Sequence, residues 1–239
     1  MAALAAYGHR YRAVVEGIVP KFRAPTDVSD LTVVKRLRGS STTDFGVPAL
    51  GLPTDGAPVT PDELELLTRV LQACWDALDR AGRSAKGLEL RKGPRGGGRD
   101  LGKISAHAVE ADQAYIVKLG ARPPKGAGGR PPRSTELREA MLEAMRARAR
   151  GLPVADPSRA KTLWTPRYFA RRVAWHVLDH AWEVEDRAIL PAPGPSGLAG
   201  MERRGLIRRA EGDLLKVVPV RMPKGKRRPS DLVSEGRGS

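Results

Sequence analysis

The sequence predicts an all-α fold: a four-helix bundle with an irregular N-terminal extension and a short basic hairpin and tail at its C-terminal end. Three observations carry this. Four segments open with a helix-capping residue and then repeat apolar residues at helical spacing. The stretches between them are rich in Gly and Pro, of which the 239 residues hold 26 and 20. Only one short run, LTVVKRL at residues 31–37, reads as a strand.

The elements follow in order. Residues 1–58 form the extension, with one helical candidate at about residues 7–19, the strand-like run, and a Gly- and Pro-rich loop. The bundle occupies residues 59–191. Its first helix opens on VTPDELELL, with Thr60 as cap, Pro61 at the first helical position and Glu63 placed to reach back to the cap. Leu64, Leu67, Leu71, Cys74 and Leu78 then form one stripe, so Cys74 reads as a buried structural thiol. The second helix follows the glycine-rich GPRGGGR, is capped by Asp100 and ends at Gly120. Ser134 or Thr135 caps the third, and Gly151 stops it. The fourth starts at Thr165-Pro166 and ends at Pro191. The connections are long for a simple up-and-down bundle and leave room for a crossover topology.

Composition limits the function classes. The chain is 41% hydrophobic and 29% charged, which is globular, and no apolar run approaches the roughly 20 residues of a membrane span. The N-terminal stretch lacks the basic start and apolar centre of a secretory signal, and one cysteine excludes an internal disulfide. Both fit a cytoplasmic protein. The net charge of +15 attracts polyanions without selecting one. Residues 201–239 hold 11 Lys and Arg against 5 Asp and Glu, so much of the surplus is a basic tail. Within residues 192–239, GLAGMERRGLIRRAEGDLLKVVPVRM resembles the end of a winged helix, with a hairpin turning at Glu211-Gly212. The helices that would complete such a domain are missing.

Three of the four histidines carry the chemical signal. His176 and His180 are four residues apart on the fourth helix, which puts two imidazoles on one face. They fall on a flank of the stripe Ala174, Val177, Leu178, Ala181, Val184 and Ala188. His107 holds the same angular flank of the second helix, beside Leu101, Ile104, Ala108, Ala111, Tyr115 and Leu119. If those rims meet, three imidazoles can hold one divalent ion and leave a position open, as catalytic zinc sites do. Glu183 is placed either to partner His180 or to pair with Arg187. Asp179, Arg171 and Arg172 lie within a turn of the pair, and Arg95 and Arg99 flank the glycine run that opens the His107 helix. These are the candidate substrate-binding charges. His9 reads as ordinary surface.

The segments RYFARRVAWHVLDHAWEVEDR, RGGGRDLGKISAHAVEADQAYIVKLG and GSSTTDFGVP resemble an uncharacterised branch of the DinB-like superfamily of metal-binding four-helix bundles, over roughly residues 7–191. The resemblance implies that His107, His176 and His180 are metal ligands, with zinc or nickel the usual ion. It implies an enzyme of the S-transferase, isomerase or hydrolase kind, some members using low-molecular-weight thiols such as mycothiol or bacillithiol. The small-molecule substrate is not indicated. A homodimer would fit an exposed helix face. The alternative is a nucleic-acid-associated protein working through the basic tail, its metal structural or absent.

Overall fold

The computed structural model describes residues 2–189, except 20, 45, 93–97, 127, 129, 131 and 154–161, together with residue 202. Among the described residues the chain is helical, with no strand and one isolated bridge, Leu90 to Ala188. The α-helices are α1 (Ala2–Val15), α2 (Ser41–Asp44), α3 (Pro61–Ser84), α4 (Leu101–Val117), α5 (Ser134–Ala149) and α6 (Pro166–Arg187). None is long and apolar enough to cross a membrane. The chain divides into residues 1–190 and 191–239, so the N-terminal extension belongs to the same compact unit as the long helices. The winged-helix-like hairpin and the basic tail lie outside the described residues.

Caps set where the long helices begin. Thr60, Asp100 and Thr165 each accept a hydrogen bond from the backbone N–H three residues on, at 3.2, 2.8 and 3.3 Å. Each such cap contributes about 1 kcal/mol. One expectation about caps gains a second partner and one needs correcting. The Glu63 carboxylate pairs with Arg167 at the start of α6, and the Thr60 backbone N–H also lowers its pKa, so the reach back to the cap is kept beside a stronger partner. α5 starts at Ser134 itself, after Arg133, whose N–H is accepted by Glu136 at 2.9 Å.

Three element boundaries also differ from expectation. α1 starts at Ala2 and ends at Val15, because Gly17 turns the chain through a left-handed conformation at φ 79°. Residues 31–37 are not a strand. They find no neighbouring strand among the described residues to complete a ladder, and Val34 is 92% exposed. α6 stops at Arg187, short of Pro191, because the next residues leave the helix to pair with residues 89–91. The N–H of Arg91 donates to the Arg187 carbonyl at 2.7 Å and that of Ile189 to the Glu89 carbonyl at 2.9 Å.

The core lies among α3, α4, α5 and α6. Leu71, Ile116, Leu137, Met141, Met145, Phe169, Val173 and Val177 are its fully buried centre, and Cys74 is buried with them. A second cluster, with Ile104, Ala181 and Val184, continues toward the glycine-rich end of α4. The most extensive helix contact is α3 with α6. Arg138 of α5 pairs bidentately with Asp79 of α3 at 2.7 and 2.9 Å.

The extension fastens to α6 at both ends. Arg171 grips the buried carboxylate of Asp55 with two 2.7 Å hydrogen bonds, and Arg167 donates to the carbonyls of Thr54, Ala57 and Pro58. At the other end Arg10 pairs with Glu185 and Asp186, and Tyr7 stacks on Trp182 at 5.0 Å. Gly8 is required here, since a Cβ would lie 2.8 Å from the Pro25 ring.

Candidate metal centre

The three histidines come together. Their donor nitrogens all lie within 4.8 Å of one another, and Nε2 of His107 is 3.4 Å from Nε2 of His176. His176 and His180 are 7% and 5% exposed, while His107 is half-buried. The pair on α6 therefore belongs to the buried face and not to its rim. That side of the helix is wider than the aliphatic stripe, running from Phe169 and Val173 through both histidines to Val184. His9 is exposed.

One chain of hydrogen bonds orients the site. Nδ1 of His180 is 2.9 Å from Oε2 of Glu183. A carboxylate accepts, so Nδ1 carries the proton and Nε2 is left with its lone pair toward the cluster. Both readings of Glu183 hold, because its other oxygen accepts from Arg187. Arg187 then donates to the carbonyls of Arg91 at 2.9 Å and Arg99 at 2.8 Å. The end of α6 thereby fixes the chain entering α4, which carries His107. Gly98 is tied to the same contact. Its φ is 137°, and a Cβ there would lie 2.5 Å from Nη2 of Arg187.

The electrostatics keep lone pairs available. Burial, with the neighbouring histidines and the charges of Arg172 and Arg99 adding to it, pushes the His176 imidazolium down to about 3. Burial also lowers His107, and Arg99 reinforces it. At neutral pH both are neutral imidazoles, the ligand form. The donor set fits a divalent ion. Nitrogens about 2.0–2.1 Å from a tetrahedral ion lie roughly 3.3 Å apart, close to the 3.4 Å between His107 and His176. The buried Nδ1 of His176 has no hydrogen-bond partner among the described residues.

The candidate charges divide. Arg171 is occupied by Asp55. Arg172 lies between Tyr115 and Trp175. Arg99 lends its carbonyl to Arg187, and Asp179 is exposed. Arg95 lies outside the described residues.

Two residues had no functional reading in the sequence. Tyr115 presents its ring edge to His176 at 5.6 Å. Asp112 is buried on α4, its Oδ1 without a partner among the described residues, and desolvation raises its carboxyl to about 7 against the lowering effects of the Arg138 charge and the Trp75 side chain. The signal was an acid four residues beyond Ala108, in register with Ile104 and Ile116. No protein-family model, curated protein or solved structure matches the chain.

Proposed function

We propose that the chain is a divalent-metal-dependent protein of the DinB-like kind, a four-helix bundle whose His107, His176 and His180 hold zinc or nickel. The observation that supports this most is the convergence of three imidazoles from α4 and α6 within 4.8 Å. A bound ion would supply Lewis acidity, bringing a coordinated water or low-molecular-weight thiol to its nucleophilic form near neutral pH. The reaction class is thiol-dependent transfer or isomerisation, or hydrolysis, on a small molecule in the cytoplasm.

The protein's own groups have defined tasks. Glu183 holds the His180 tautomer, and Arg187 holds Glu183. Burial keeps His176 unprotonated. Tyr115 and Trp175 wall the His176 side and limit water there.

The test is elemental analysis of untagged protein, wild type against His176→Ala/His180→Ala. About one zinc or nickel per chain, lost in the variant, is the expected result. No metal in the wild type after reconstitution with both ions overturns the reading. The charge of +15 favours one second reading, nucleic-acid association through the tail. It requires DNA binding that falls steeply with salt and disappears on deletion of residues 201–239.

A further inference from the structure

α6 carries four arginines, and three of them face carboxylates: Arg167 with Glu63, Arg171 with Asp55 and Arg187 with Glu183. Arg172 pairs with no carboxylate among the described residues. Its Nη1 is buried without an acceptor among the described residues. A buried donor left in that state costs about 1–3 kcal/mol, so the position is not neutral packing.

The helix offers no local relief. At three and four residues on either side of Arg172 stand Phe169, Tyr168, Trp175 and His176, none of them acidic. Aromatic faces take the place of a counter-ion. The guanidinium carbon lies 5.0 Å from the Trp175 ring centre and 5.6 Å from that of Tyr115. These same two rings border the triad, Tyr115 at 5.6 Å and Trp175 at 6.3 Å from the His176 ring. Rings on a guanidinium's faces hold its plane and leave its N–H edge for a planar acceptor. The residue is only half-buried, so part of the side chain remains reachable from solvent.

From this placement we infer that Arg172 is an anion-binding residue beside the histidine triad. The ligand it selects is a small molecule carrying a carboxylate about one helical turn from the atom that approaches the histidines. A carboxylate matches the planar guanidinium fork at the part of the side chain that remains reachable. This inference rests on the metal reading above.

The test uses the full chain loaded with cobalt(II) and two thiols that differ in charge, 3-mercaptopropionate and uncharged 2-mercaptoethanol. Each is titrated through the sulfur-to-cobalt charge-transfer band. The wild type is expected to bind the carboxylated thiol at least about tenfold more tightly. Arg172→Met should remove that preference and leave 2-mercaptoethanol binding unchanged. Arg172→Lys should restore only part of it, since an ammonium lacks the planar fork. A preference that persists in Arg172→Met, with helicity and cobalt content intact, overturns the inference while the metal reading stands. Should Arg172→Met fail to fold, equal wild-type affinity for the two thiols overturns it as well. If the wild type takes up no cobalt, the metal reading has failed and this inference fails with it; cobalt uptake with no band from either thiol overturns this inference while the metal reading stands.

Discussion

Asp112 shows how far one buried group can be from its solution behaviour. It is 5% exposed, its Oδ1 is unpartnered among the described residues, and burial lifts its carboxyl from about 3.8 to about 7. The sign follows from linkage. Below pH 4 both folded and unfolded chains hold the proton, so the residue is neutral in its effect. Between pH 4 and 7 the unfolded chain ionises while the fold keeps the acid protonated, so stability is progressively lost. Above pH 7 the loss is complete. Asp112→Asn should therefore stabilise the protein by about 1–2 kcal/mol at pH 8, or roughly 2–4 °C per kcal/mol. The gain should be absent near pH 4. Thermal melts of both proteins across that range check this; a gain independent of pH would mean that the carboxyl is not held neutral. Glu183 makes the second prediction at this scale. Glu183→Gln keeps the shape but loses the charge that fixes the His180 tautomer. Zinc affinity, measured by chelator competition, should fall about 10- to 100-fold while helicity is retained.

Among elements, the contact between the end of α6 and the entry to α4 decides whether three histidines make one site. His107 comes from one helix and the pair from another, and Arg187 joins them through the carbonyls of Arg91 and Arg99. Gly98→Ala puts a methyl group against that guanidinium and forces an unfavourable φ. It should lower zinc affinity, measured by chelator competition, while the helical signal is retained. The i, i+4 pair, the stripes and most caps were legible in the sequence because they follow from local period and local donors. His107 was legible as an angular match only, since no periodicity states which helices are neighbours. Arg187 was legible as the i, i+4 partner of Glu183, but its reach to the Arg99 carbonyl 88 residues away was not, and nothing local marks the pairing of Asp55 with Arg171, 116 residues away. The run at residues 31–37 misled for the same reason: β-branched composition suits a strand, but a partner must exist elsewhere.

At the scale of the molecule, all three candidate ligands, the Glu183–Arg187 relay and the helices that carry them lie within residues 1–190. An ion that binds only the folded state stabilises it by mass action, about 2.7 kcal/mol at a concentration 100 times Kd. For a chain of this size that is a rise of roughly 5–10 °C in Tm. Zinc should therefore raise the melting temperature of the apoprotein, and EDTA should reverse the rise. His176→Ala/His180→Ala should show none of it. Removal of residues 191–239 separates the site from the basic tail. The shortened chain should keep the full zinc-induced rise, because the three ligands and the Glu183–Arg187 relay all lie before residue 191. A rise that disappears with the tail, while the helical signal persists, would place part of the metal-binding apparatus in residues 191–239 and make the three-histidine site incomplete.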